Sequence, residues 1–266
     1  MDASLLPRHR MCARDKMMGL SPLKDILPRT VWFLDFDGSL CPHQEVWEER
    51  VYDPDEILRE VEALASIARG ILWNTGRRPP SLGGVHPRFL DHSGYFVQGS
   101  VKWDAKAGQA KTIAPLLDPD VGARFAAEIG GDRSLRLEVK ETGLRVASVQ
   151  GGQAAKIKGF IEKHAALLPK GWSWRVGHRG AEALPDGYDK GSALREEWGR
   201  WPTDSIPVAV GDDVFDRPAF EEALARGGYV VAVGDSCGWV TQLAHRPSQI
   251  IYCETPARVA ALWLSR

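Results

Sequence analysis

The sequence predicts an α/β fold in which a parallel-sheet core is interrupted by an inserted α+β domain. Three observations predict it. Short apolar runs at Val31–Leu34, Ile71–Trp73 and Ile206–Val210 each end in a polar loop, and helical patterns follow them. Such a succession is the unit of a parallel sheet. Between the second and third runs the pattern changes. Leu135 to Lys140 alternates apolar and polar residues, as a half-buried strand does. Helical stretches and further strands then give the order helix-strand-strand, twice. The core pattern is Rossmann-like.

Each element has a local reason. Asp53-Pro54-Asp55-Glu56 opens a helix: Asp53 suits the N-cap, Pro54 the first helical position, and Glu56 closes a capping box. Ile57, Val61, Leu64 and Ala68 recur at helical spacing, and Gly70 is expected to end that helix. Asn74-Thr75-Gly76-Arg77 is the exit loop of the second run. In the insertion, helices are expected over Val121–Ile129 and Ala154–Leu168. Strands are expected over Leu135–Lys140, Leu144–Val149, Trp172–Val176 and Glu182–Leu184, with a turn at Glu141-Thr142-Gly143. The parallel pattern resumes with a helix over Lys190–Trp198, the run entering Gly211-Asp212-Asp213, a helix over Arg217–Ala225 and a strand over Tyr229–Val233. A strand over Gln249–Cys253 and a helix from Pro256 follow. The expected division is an extension over 1–29, a core over 30–103 and 184–266, and the insertion over 104–183.

Composition narrows the function classes. The chain has 266 residues, 44% hydrophobic and 26% charged, with a formal net charge of −1. That is the profile of a globular protein with no global attraction to nucleic acid or to an anionic membrane. No apolar run approaches the roughly 20 residues that span a bilayer. Met1 to Arg29 lacks a long apolar stretch, so a loosely docked extension is expected there and not a secretory signal. Cys12, Cys41, Cys237 and Cys253 form no Cys-x-x-Cys pair. They read as reduced thiols of a cytoplasmic protein, with Cys41 a packing residue. The expected partner is a small molecule, and the chain is expected to act as a monomer.

The chemistry lies in the loops. Asp35 and Asp37, Thr75 and Arg77, and Asp212 and Asp213 each leave an apolar run, and in a parallel sheet all three loops fall on one edge. Lys190, at a helix start, is placed to face the same edge. Carboxylates gathered this way repel one another unless a cation holds them. Mg²⁺ takes oxygen ligands and binds through carboxylates together with a phosphate oxygen, so Thr75 and Lys190 are expected at the phosphate. Arg77 suits either the phosphate or an acidic neighbour. No EF-hand, Walker loop, Gly-x-Gly-x-x-Gly or Gly-x-Ser-x-Gly offers a competing reading.

Asp35-Phe36-Asp37-Gly38-Ser39, Asn74-Thr75-Gly76-Arg77, Lys190-Gly191 and Gly211-Asp212-Asp213-Val214-Phe215-Asp216 together resemble the four ordered motifs of the haloacid dehalogenase-like phosphatases. The resemblance implies Asp35 as a nucleophile that forms an aspartyl-phosphate, and Asp37 as the acid and then the base. It implies Thr75 and Lys190 as phosphoryl contacts, with Gly76 and Arg77 beside them. It also implies Mg²⁺ bound by Asp35, the main chain of Asp37 and Asp212, with Asp213 and Asp216 nearby. The insertion resembles the α/β cap of one subgroup, most of all that of trehalose-6-phosphate phosphatases. Glu138-Val139-Lys140 and Glu182-Ala183-Leu184-Pro185 carry this likeness. It implies that Glu138, Lys140 and Glu182 bind sugar hydroxyls. By their residue types alone these three also suit a solvent-facing ion-pair network. The chain departs from that subgroup at Ser148-Val149-Gln150 and at Phe215 and Arg217.

The reading is therefore a Mg²⁺-dependent sugar-phosphate phosphatase with trehalose 6-phosphate as leading substrate. A phosphatase for another glycosyl phosphate such as a glycosyl-phosphoglycerate, a phosphosugar mutase, and a non-catalytic sugar-phosphate sensor stand beside it. Hinges are expected near Lys102–Asp104 and Pro185–Tyr188. Trp103 and Trp172 are possible sugar-stacking residues, and the histidines receive no role.

Overall fold

The computed structural model describes residues 21–43, 52–149, 154–177, 179–234, 237–243 and 247–264. Two sheets organise it. The larger contains β1 (Thr30–Leu34), β2 (Gly70–Asn74), β3 (Gly94–Phe96), β4 (Val101–Asp104), β5 (Gln109–Thr112), β10 (Ile206–Gly211), β11 (Tyr229–Val233) and β12 (Ile250–Cys253). Their order is β12-β11-β10-β1-β2-β3-β4-β5. The smaller contains β6 (Leu135–Lys140), β7 (Gly143–Ser148), β8 (Trp172–Val176) and β9 (Gly180–Pro185), in the order β6-β7-β9-β8. The helices are α1 (Ser21–Lys24), α2 (Pro54–Ile67), α3 (Pro79–Gly83), α4 (Pro119–Ile129), α5 (Ala154–His164), α6 (Lys190–Trp198), α7 (Arg217–Ala225), α8 (Cys237–Val240) and α9 (Ala257–Leu264).

β1 is buried along its whole length, as a central parallel strand must be. Its parallel neighbours are β2 and β10, and Leu34 stands opposite both Trp73 and Val210. The three strands therefore end at the same level. The chain runs outward from β1 to β2 and β3, then returns to the other side of β1 as β10. That reversal is a topological switch point, where open α/β sheets place their ligand crevice.

Alternating side chains build two core layers. Trp32, Leu34 and Trp73 pack under α2 and α9, against Val61, Leu64, Val259 and Trp263. Val31, Phe33 and Leu72 pack on the other face against Leu194 of α6 and Phe220 of α7. Each fully buried side chain of this kind contributes about 1.5–3 kcal/mol. Leu23 and Leu27 belong to the first layer, so residues 21–29 are docked and not a loose extension. Residues 1–20, with Cys12, lie outside the described residues.

Several local expectations change. Asp53 does cap α2, but it accepts from the Asp55 N–H at 3.0 Å, and Glu56 closes no capping box. The helix ends at Ala68 in extended backbone, and Gly70 opens β2. The helix expected over Ala154–Leu168 is α as far as His164 and tightens to a 3-10 turn over Ala165–Leu167. Lys102–Asp104, expected as a hinge, pairs in register inside β4, and β5 continues the large sheet past residue 104. The chain passes from β5 into α4 through 113–118 and from β9 into α6 through 186–189.

The small sheet is antiparallel throughout. Leu135, Leu137, Ala181 and Ala183 face a core formed with α4 and α5, in which Phe125, Phe160 and Trp174 pack together. Glu138, Arg145, Glu182 and Arg175 form a cross-strand row of alternating charge on the other face. That face looks toward the ends of β1, β2 and β10.

Candidate active site

One cavity lies between the strand ends and the small sheet. It is lined by Asp35, Asp37, Thr75, Gly76, Arg77, Glu138, Lys140, Glu182, Lys190, Asp212, Asp213 and Asp216, so every expected site residue reaches it. His43, Gln98, Arg145 and Arg179 also line it.

Lys190 sits at the centre. Asp189 caps α6 and Ser192 returns the bond, which sets the first helical turn and aims Lys190 inward. The Asn74 side chain donates to the Lys190 carbonyl at 3.0 Å. Lys190 Nζ lies 2.9 Å from Asp35 Oδ1 and 2.6 Å from Asp216 Oδ1. All three are buried. Burial pushes the Asp35 carboxyl up to about 6; Lys190 opposes the shift, while Asp216 and Asp37 add to it. Burial raises Asp216 too, against the pull of Lys190. Burial alone would lower the Lys190 ammonium, but Asp216 and Asp35 outweigh it and hold Lys190 above the usual lysine range.

The other Asp216 oxygen accepts from the backbone N–H groups of Asp212 and Asp213, each at 3.0 Å. A Cβ at Gly211 would fall 2.1 Å from Asp216 Cγ, so only glycine permits this approach. Asp212 is fixed at both oxygens: Ser39 Oγ donates to Oδ1 at 3.0 Å, and His43 Nε2 lies 2.6 Å from Oδ2. Gly38 has φ +79°, and a Cβ there would lie 2.2 Å from Asp212 Oδ2. Burial lowers His43, but its bond to Asp212 outweighs that and raises it overall.

Asp35, Asp212 and Asp216 each offer an oxygen, all within 4.8 Å of one another. Three buried carboxylates with one lysine among them suit a hard divalent cation, and an all-oxygen donor set fits Mg²⁺. Asp37 and Asp213 line the cavity without joining that cluster. Asp213 accepts from the Val214 N–H and caps the turn over Val214–Asp216. Asp37 is gripped by Arg77, whose Nε and a terminal nitrogen donate to its two oxygens at 2.7 and 2.6 Å. Between phosphate and acidic neighbour, this structure places Arg77 on the acid. Its guanidinium also lies 5.1 Å from the Phe36 ring centroid.

Lys140 Nζ reaches across from the small sheet and donates to the Gly76 carbonyl at 2.9 Å. It also lies 3.5 Å from Glu182 and 4.0 Å from Glu138. Lys140 and Glu182 are buried at this seam, so a solvent-facing ion-pair network does not describe them. Trp103 donates to the Leu90 carbonyl, and Trp172 packs in the core of the small sheet; neither lines the cavity. Val149 and Ser148 are described, whereas Gln150 lies outside the described residues.

The sequence reading passed over His43 and Gln98. For Gln98 the sequence carries a signal: Tyr95-Phe96-Val97 is an apolar run that ends in a polar loop, like those at Val31–Leu34, Ile71–Trp73 and Ile206–Val210. His43 follows Asp35 in the same loop, but its contact is made across 169 positions and has no local mark.

The fold is a parallel α/β core with an inserted α+β cap, the fold of haloacid dehalogenase-like hydrolases. Solved structures with this fold include the C-terminal domain of a trehalose-6-phosphate phosphatase from C. albicans. It is 17% identical, covers 90% of this chain and 92% of its own, and has a TM-score of 0.69. A trehalose-6-phosphate phosphatase related protein is 21% identical over 88% and 95%, with a TM-score of 0.64. A haloacid dehalogenase-like hydrolase from B. subtilis is 13% identical over 88% and 98%, with a TM-score of 0.61. No protein-family model and no curated protein sequence matches the chain. Among the described residues no helix is long and apolar enough to cross a membrane.

Proposed function

We propose that this protein is a Mg²⁺-dependent phosphomonoesterase acting on a sugar phosphate, with trehalose 6-phosphate the leading substrate. The observation that carries the reading is the Lys190 bridge between Asp35 and Asp216 within a cluster of three buried carboxylates. Lys190 neutralises Asp35 and leaves one of its oxygens to act as nucleophile. That oxygen attacks phosphorus, the bond from phosphorus to the ester oxygen breaks, and Asp37 gives the departing alkoxide its proton. Asp37 then takes a proton from water. The water oxygen attacks the aspartyl-phosphate, the bond to Asp35 breaks, and phosphate leaves. Thr75 and Lys190 hold the phosphoryl oxygens, and Arg77 orients Asp37 between the two proton transfers.

Asp35, Asp212 and Asp216 would hold Mg²⁺, with the main chain of Asp37 and the Asp213 carboxylate close by. The cation would supply positive charge to the transferring group. Glu138, Lys140 and Glu182, with Gly76 beneath them, are assigned to the leaving group. Trehalose 6-phosphate leads because the capped fold is shared with phosphatases of that substrate and both cap carboxylates reach the cavity. A cytoplasmic, monomeric enzyme acting on a small molecule is part of the same proposal.

The test is phosphate release from a panel of sugar phosphates, with and without Mg²⁺, for wild type and Asp35→Asn. Activity is expected only for the Mg²⁺-loaded wild type. Full activity in a folded Asp35→Asn variant sinks the nucleophile assignment. An isomeric sugar phosphate as product would favour a mutase, and binding without turnover a sensor.

A further inference from the structure

We propose that Gln98 is a substrate-contacting residue whose side-chain amide reads hydroxyl groups on the leaving half of the ester. The proposal rests on the phosphatase reading and names the part of the substrate that reading leaves open.

Gln98 lines the cavity and is only 6% exposed. Among the described residues its Oε1 is sealed from solvent and has no hydrogen-bond partner. A buried amide oxygen without a donor is costly, and native structures rarely keep one without a use. The side chain caps no helix and closes no turn. It stands where core and cap meet: a Cβ at Gly76 would lie 2.7 Å from Gln98 Nε2 and 3.8 Å from Glu182 Oε1.

The backbone is held in a costly conformation to put it there. Val97 has φ 50° and Gln98 φ 56°, and for a β-branched residue the left-handed region is an outlier. Such strain persists only where the surroundings over-determine it. Here Val97 N donates to the Arg77 carbonyl at 2.9 Å, and Gln98 N to the Thr75 carbonyl at 3.2 Å. Ser100 Oγ donates to the Val97 carbonyl at 2.7 Å. The loop carrying Gln98 is thus pinned to the loop carrying the phosphoryl contact Thr75.

The chemistry of the amide selects its partner. An ionised phosphate only accepts hydrogen bonds, so it has no use for the amide carbonyl. A sugar hydroxyl both donates and accepts, so it satisfies either end of the amide. The partner is therefore a polyhydroxyl group attached to the phosphate, lying between Gln98 and the cap residue Glu182.

The experiment compares kcat/KM for two esters: phenyl phosphate, which carries no hydroxyl, and the sugar phosphate in the panel that wild type cleaves fastest. The enzymes are wild type, Gln98→Met and Gln98→Asn, each loaded with Mg²⁺. Met keeps the length without the amide. Asn keeps an amide but draws it back by one methylene, and Asn tolerates positive φ, so this variant is expected to fold even where Met does not. Thermal melts verify folding. The sugar-to-phenyl ratio is expected to fall by about tenfold or more in both variants, as when a site loses a hydroxyl contact. A ratio within about twofold of wild type in the folded variants overturns the proposal. Wild-type turnover of phenyl phosphate but of no sugar phosphate also overturns it and leaves the phosphatase reading standing. Turnover of neither ester overturns both.

Discussion

Lys190 stands between Asp35 and Asp216, 2.9 Å from the first and 2.6 Å from the second, with all three side chains buried. Neither carboxylate has comparable compensation from solvent. Lys190→Met is therefore expected to abolish phosphate release and to destabilise the metal-free protein at pH 7 by about 3–5 kcal/mol, the usual cost of stranding a buried charge. At pH 5 the loss shrinks, because the stranded carboxyls protonate. Urea unfolding at the two pH values checks this; an equal loss at both would show that the lysine is not the counter-charge.

The same cluster sets a pH dependence. Asp35 has its folded-state carboxyl raised to about 6 from 3.8. Between those values the native state holds a proton that the unfolded chain has released. Stability of the metal-free protein therefore falls as pH rises through this window, by up to about 3 kcal/mol. A divalent cation competes for the deprotonated carboxylates, so Mg²⁺ is expected to raise the melting temperature more at pH 7.5 than at pH 5. Thermal melts in EDTA and in Mg²⁺ across that range measure it. A Mg²⁺ effect independent of pH would contradict a site built from these groups.

Arg77 holds Asp37 through two parallel bonds at 2.7 and 2.6 Å. A lysine is a point charge and cannot reproduce that fork. Arg77→Lys is expected to lower kcat by about 10–100-fold with a smaller change in KM, on the scale of a disturbed acid–base group. Steady-state kinetics on the fastest sugar phosphate decide it. A change confined to KM would place Arg77 on the substrate instead.

Cys41 lies within the acidic loop but is buried, and burial followed by the Asp37 charge pushes its thiol well above the usual range. Its Sγ donates to the Phe36 carbonyl at 3.5 Å. Native protein at pH 8 is expected to resist iodoacetamide at Cys41, and denatured protein to react there, because the thiolate is the reactive form. Peptide mapping after labelling reads this directly.

The sequence by itself determined the elements that packing rules write locally. β1, β2 and β10 are continuous apolar runs because parallel strands at the centre of a sheet are buried on both faces, and α2, α6 and α7 carry their caps or starts in adjacent residues. The acids were legible for the same reason, since each follows the end of such a run. β5 is exposed along its length and leaves no hydrophobic signature, and β3 leaves only the short apolar run Tyr95-Phe96-Val97.

Only the tertiary structure decided which groups meet. That Arg77 holds Asp37, that His43 holds Asp212, that Lys140 crosses to Gly76 and that Gln98 Oε1 has no partner among the described residues depend on how strand ends, loops and cap converge. Those contacts join residues from 40 to 169 positions apart. No local spacing records such distances, because side-chain partnership is set by packing after the chain has closed on itself.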